Sequence, residues 1–187
     1  MTQKSTMMTT ENTLDSTSEP PKKVRKTRRP RKKASPAATK KLPSNPFMNE
    51  IFELVSEQKT DDGKIAILKE YECDILKSLF IWNFDDSVIS LLPQGTVPYK
   101  PNENPLGTDH SSLRREQRSL YNFVKGGNDQ LSTIRRETIF IQMLEGLHPK
   151  EADIVIAVKD GNLEDMYDIP FEVVEDAYPD IQWGGRS

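Results

Sequence analysis

Few residues in this 187-residue chain can do covalent or metal chemistry: one cysteine, Cys73, and two histidines, His110 and His148. Their separations match neither a CxxC nor an HxxxH arrangement, so no zinc-ligand spacing exists. His148 precedes Pro149 and reads as a helix-entry residue. Cys73 stands three residues before Leu76 and reads as a small buried hydrophobe rather than a nucleophile. The acid pairs Asp61-Asp62, Asp85-Asp86, Glu164-Asp165 and Glu175-Asp176 offer Mg²⁺ ligands, but helix starts attract acids through capping and the helix dipole. Capping is the expectation for the first two pairs. Asp160-Gly161-Asn162 lacks the alternating ligands of a calcium loop, and neither a Gly-rich phosphate loop nor a Ser-centred nucleophile motif occurs. The expectation is a non-enzymatic protein: no catalytic residue, no metal, no cofactor.

The chemistry that is abundant is positive charge in one place. Lys22, Lys23, Arg25, Lys26, Arg28, Arg29, Arg31, Lys32 and Lys33 form a nearly continuous basic run, and with Lys40 and Lys41 they give residues 20–41 eleven cations and no acid. Residues 1–19 hold one lysine against three acids, so an overall charge of -3 leaves -12 on everything from Leu42 onward. Cationic blocks of this kind act as interaction arms. Duplex DNA carries one negative charge per roughly 1.7 Å of axis and releases counterions when its phosphates are neutralised, so such an arm binds it in a salt-sensitive, largely sequence-blind way. The nine residues from Lys22 to Lys33 are the candidate nucleic-acid contacts, DNA and RNA being undistinguished. Thr27-Arg28-Arg29-Pro30-Arg31 resembles the core of an AT-hook, except that Arg28 stands where the hook has glycine. Lys32 to Lys41 resembles the Lys/Ala/Pro tails of linker histones and bacterial histone-like proteins. Pro21 to Lys26 is similar to a monopartite nuclear localisation signal, which matters only in a eukaryotic cell.

A second basic group, Arg114, Arg115 and Arg118, lies at i, i+1 and i+4, followed by Arg135 and Arg136. It is a possible secondary basic face, but acids outnumber it, and pairing with them is expected.

The elements that must position these residues divide at residue 45. Residues 1–44, rich in Ser, Thr, Pro, Lys and Arg, have too few apolar side chains to offset ordering entropy, which predicts disorder. An acidic all-helical domain is expected over 45–181, with a flexible C-terminus at 182–187. Asn45-Pro46 opens a helix near 46–58 whose Phe47, Ile51, Leu54 and Val55 form one stripe. Thr60 or Asp61 caps a longer helix reaching Trp82, and Asp85 or Asp86 a short one through Val88, Ile89, Leu91 and Leu92. Four prolines and two glycines make 93–109 a long ordered loop, a class that is often functional. Asp109 then caps a helix with Leu113, Leu120, Tyr121 and Val124 on one face, stopped by Gly126-Gly127. Ser132 or Asp129 starts one through Ile134, Thr138, Ile141 and Met143. His148-Pro149 opens another, with Ala152, Val155 and Ile156 inward. Pro170 starts the last, with Phe171, Val174, Ala177 and Tyr178. Six or seven helices and no convincing strand predict an all-α class.

Composition narrows the rest. With 35% hydrophobic and 29% charged residues, the chain has room for one core plus appendages. A single cysteine excludes an intrachain disulfide and gives no indication of an oxidising compartment. No run approaches the ~18 apolar residues of a membrane helix, Met1 to Pro20 is too polar for a signal peptide, and Thr2 is not the glycine that myristoylation needs, so no membrane partner is expected.

The stretch from Arg136 to Asp153, continuing through Val158-Lys159-Asp160-Gly161 and closing with Ala177-Tyr178-Pro179, resembles a family of uncharacterised proteins from large contractile-tailed bacteriophages, notably those of marine cyanobacteria. The resemblance spans roughly 45–181 and omits the arm. It brings no activity and no catalytic residue to carry over. What it implies is a setting: a bacterial host cytoplasm, or packaging into the virion. The expected function is a nucleic-acid-associated phage accessory protein, with the arm on phosphates and the helical domain on a protein partner. A virion structural or assembly component and a host-interaction protein are the alternatives.

Overall fold

The structure, a computed structural model, describes residues 41–105, 108 and 110–185. The chain divides into two units, and the first, Met1–Ala38, lies outside the described residues together with the whole basic run from Lys22 to Lys33. Leu42, assigned to the arm on sequence grounds, already packs against the core, and its N–H donates to the Tyr71 hydroxyl at 3.1 Å.

The all-α class holds: eight α-helices, one 3-10 segment and no strand occur among the described residues. The first helix, α1 (Met48–Ser56), buries Ile51, Leu54 and Val55 of the expected stripe together with Met48 and Phe52, whereas Phe47 stands at the N-cap and is half-buried. It starts after Phe47 rather than at Pro46. Thr60 is the cap of α2 (Asp61–Glu70), its hydroxyl accepting from Gly63 N at 3.2 Å, with Asp61 and Asp62 in the first turn as the dipole favours.

The expected long helix to Trp82 is two helices, because α2 packs against α1 and α8 (Phe171–Ala177) whereas α3 (Asp74–Phe84) packs against α6 (Pro149–Lys159). One straight rod cannot serve both sets of partners, and the chain turns at Tyr71–Cys73. Cys73 becomes the N-cap of α3 and is half-buried, not the fully buried hydrophobe expected.

The short helix expected over 88–92 is absent. That segment is extended instead and pairs with the chain before Gly126: Leu91 N donates to Phe123 O at 2.8 Å, and Lys125 N to Ile89 O at 2.9 Å. Asp85 therefore starts no helix; it is the C-cap of α3, its N–H donating to Ile81 O at 3.0 Å. Its carboxylate accepts from Ser87 N and from Gly184 N, and Trp183 packs edge-to-face on Phe171, so the segment expected to be flexible from residue 182 makes contacts with the core at Trp183 and Gly184.

The start of the loop from Pro93 is fastened to α6. The buried Lys159 ammonium donates to Pro93 O (2.8 Å) and Gly95 O (3.2 Å) while pairing with Asp160 at 2.5 Å. Ser112 stands at the N-cap of α4 (Leu113–Glu116), which tightens into the 3-10 segment Gln117–Phe123; the expected cap, Asp109, lies outside the described residues. In α5 (Thr133–Gly146), Ser132 caps as expected, but Ile134 is 78% exposed, and the inward stripe is Arg136, Phe140, Met143 and Leu144. Pro149 opens α6 at its first position, and α7 (Leu163–Tyr167) ends at Asp168 in the left-handed region (φ 53°).

Two aromatic clusters weld these helices together. Phe52, Phe80, Tyr167 and Tyr178 join α1, α3, α7 and the end of α8, and the Tyr178 hydroxyl donates to Leu68 O at 2.7 Å. Phe123 bridges Trp82 of α3 (6.2 Å) and Phe140 of α5 (5.0 Å). Each such ring contributes roughly 1.5–3 kcal/mol by burial.

Candidate functional site

The residues singled out for covalent or metal chemistry are brought together only once. His110 and His148 meet edge-to-face, ring centroids 5.3 Å apart, where the loop rejoins the start of α6. His110 Nε2–H donates to Asn104 O at 2.7 Å, and His148 Nδ1 accepts from Lys150 N at 3.3 Å, so each ring already has a structural task. Burial holds the His148 imidazole below its usual pKa, and the neighbouring His110 and Lys150 add to the effect. No cluster of three His, Cys, Asp or Glu able to hold a metal ion occurs among the described residues.

No described arginine forms an ion pair with an acid, contrary to the pairing expected. Among the described residues every ion pair is made by a lysine: Lys64, Lys77, Lys150 or Lys159. Arg136, buried, donates instead to the carbonyls of Asn122 (2.7 Å) and Asn128 (3.0 Å), clasping the two sides of the turn after the 3-10 segment. Arg114 is half-buried, with Nε donating to Pro46 O at 3.4 Å. Arg115 and Arg118 are exposed, and because α4 gives way to 3-10 geometry after Glu116, the three do not share the single helical face their spacing predicts.

Arg118 instead joins a different group. Between α3, the 3-10 segment and the turn at 124–127 lies a cleft of about 740 Å³. Its apolar lining comes from Ile81, Trp82, Val88, Leu120 and Val124; Arg118, Tyr121 and Lys125 stand at its edge, exposed, with Asp74 the acid that also lines it. Tyr121 is 53% exposed. Neither Arg118 nor Lys125 has an ion-pair partner among the described residues. Trp82 Nε1 is buried at this wall without an acceptor.

The turn that shapes the cleft depends on two glycines. Gly126 is left-handed (φ 81°), and its N–H donates to Asp129 Oδ1 at 3.0 Å. At Gly127 the backbone of Tyr121 passes so close that a Cβ would stand 1.9 Å from its carbonyl oxygen. Only glycine fits without opening the turn.

A further residue was not legible in the sequence. Glu151, fully buried in the first turn of α6, accepts from Met48 N at 2.9 Å through one oxygen and from Leu113 N at 3.1 Å through the other. One carboxylate thus satisfies the first helical N–H of both α1 and α4, donors that have no partner inside their own helices. Burial raises its pKa, against the opposing pull of those two N–H bonds and of Arg114. The only sequence signal is its position three residues after the N-cap His148, where a glutamate usually reaches back to its own helix.

The helical core, the cleft and the Glu151 bridge all fall largely within a stretch that a family model recognises: residues 51–165 match DUF6433, a family of unknown function. The chain belongs to the DUF6433 family. No curated protein and no solved structure matches it. The DUF6433 match begins inside α1 and ends inside α7, so it takes in the cleft, the histidine pair and Glu151, whereas the basic arm and α8 lie outside it.

Proposed function

We propose that this DUF6433 protein is a non-enzymatic, nucleic-acid-associated accessory protein, acting in the bacterial host cytoplasm of a phage infection. Its arm residues Lys22, Lys23, Arg25, Lys26, Arg28, Arg29, Arg31, Lys32 and Lys33 engage phosphates, and its helical domain carries a protein partner. The observation that supports this is the segregation of charge: eleven cations without an acid in residues 20–41, on a chain that carries -12 from Leu42 onward. Phosphate-directed affinity needs density of charge and not a fixed fold, and a run of this density supplies it. The acidic remainder repels the same polyanion, which confines its contact to the arm and to local basic patches.

The test compares the full chain with a variant in which the nine arm cations are glutamine, each titrated against two unrelated duplexes of equal length. The proposal expects near-equal affinity of the full chain for both duplexes and loss of binding to both in the variant. Equal binding by parent and variant refutes it.

A further inference from the structure

We propose that the cleft lined by Tyr121 is a second nucleic-acid site, selective for an unpaired strand: one base stacks on the Tyr121 ring while flanking phosphates pair with Arg118 and Lys125. The inference rests on the reading that the chain meets nucleic acid, and it assigns to the folded domain a contact that the arm cannot make.

Three features converge on this occupant. The first is Tyr121, a residue 53% exposed on the lining of a cleft while Leu120 and Phe123 in the same 3-10 segment are buried. An aromatic ring on a rigid backbone is a stacking platform for any base, because every base has a π-face. The second is charge. In a part of the chain whose acids far outnumber its bases, Arg118 and Lys125 line the same cleft with no carboxylate in ion-pair range among the described residues, which leaves both available to an anion. The third is size: about 740 Å³ lies within the range of roughly 300–1,000 Å³ that suits a small flat ligand. A base in a duplex is stacked on both faces and has none free for the ring, whereas an unpaired base offers one.

The platform is also held in place. Arg136 fixes the carbonyls of Asn122 and Asn128, Asn128 Nδ2 donates to Asn122 Oδ1 at 2.9 Å, and Lys125 N is tied to Ile89 O. Such support lowers the ordering cost of binding. An acidic peptide would satisfy Arg118 and Lys125 equally well, but it would leave the Tyr121 face and the apolar wall unused, so the strand is the better match.

The test uses the full chain, a fluorescently labelled oligothymidylate and a duplex of the same length, read by anisotropy. Tyr121→Ala should weaken single-strand binding about ten-fold, the loss one base–aromatic stack produces, and leave duplex binding unchanged. Tyr121→Phe should restore it. The double variant Arg118→Glu/Lys125→Glu should lower single-strand affinity at least as much as Tyr121→Ala. All three side chains are exposed, so unchanged far-UV circular dichroism and thermal midpoints are expected. The arm-neutralised chain should lose duplex binding yet keep a preference for the single strand. If that chain still binds duplex fully, the arm reading fails while the cleft is judged by the Tyr121 variants alone. Wild-type single-strand affinity in both Tyr121→Ala and the double variant overturns the cleft proposal. So does displacement of the oligonucleotide by polyglutamate of matched charge, or by thymidine monophosphate at the oligonucleotide's own affinity.

Discussion

Replacing Glu151 by alanine strips the acceptor from two buried backbone donors at once. Met48 N and Leu113 N belong to fully buried residues on α1 and α4, and neither N–H can turn to an acceptor within its own helix. A buried donor left unsatisfied costs about 1–3 kcal/mol, so the pair costs about 2–6 kcal/mol. Removing a carboxylate whose burial is itself unfavourable, as its raised pKa shows, offsets part of this. The expected net loss is about 2–4 kcal/mol, a large share of the roughly 5–15 kcal/mol by which domains are stable. Glu151→Gln keeps one acceptor but turns an amide N–H₂ toward the second donor, so it should fall between parent and alanine. Urea denaturation followed by far-UV circular dichroism measures both. The pH dependence gives a second reading of the same residue. Its folded pKa lies above the usual value of 4.5, so the native state binds the proton more tightly than the unfolded chain does. That contribution to stability is present below 4.5 and is lost as pH rises through the folded pKa; Glu151→Gln should abolish it. A loss below about 0.5 kcal/mol in Glu151→Ala, the size of an ordinary surface substitution, would show that the two-helix bridge is not what holds α1 and α4 to α6.

Other substitutions probe separate parts of the account. Gly127→Ala should destabilise by about 1–3 kcal/mol and shift the Tyr121 and Lys125 resonances in NMR spectra, because its Cβ collides with the Tyr121 carbonyl; a neutral alanine would contradict the tight turn. For His148 the shift runs the opposite way to Glu151. Its folded pKa is below 6.5, so the unfolded chain takes up the proton first and stability declines as pH falls from about that value. Asparagine at 148, which retains capping ability, should remove that slope in urea midpoints taken across it. Lys64→Met should cost about 1–2 kcal/mol in chemical denaturation, since the ammonium donates to both the carbonyl and the carboxylate of Asp168 at the left-handed end of α7.

Much of the fold could be read from local signals, and the exceptions share a cause. Ser132 before α5, His148-Pro149 before α6 and Thr60 before α2 act within their own helices, so sequence alone announces them. The break at Tyr71–Cys73 is imposed by partners far along the chain, and the apolar period runs through it unbroken. Val88 to Leu92 is extended because it finds Phe123 and Lys125, which no local window contains. Arg136 counted as a surface cation, yet its guanidinium is the clasp of a turn eight to fourteen residues earlier. Charge counting likewise predicted arginine–carboxylate pairs, because it measures abundance and not which face each acid occupies. The basic run was legible as composition. The cleft was not: the spacing places Tyr121 on one helix face with Leu113 and Leu120, and the 3-10 geometry that separates it from them has no sequence signature here.

The salt dependence of duplex binding by the full chain addresses the central claim most directly. Each phosphate neutralised contributes about -0.9 to the slope of log affinity against log salt, so engagement of all nine arm cations gives about -8. The account predicts a slope of that order, collapsing toward zero when the nine are replaced by glutamine. A shallow slope that the replacement leaves unchanged would contradict it.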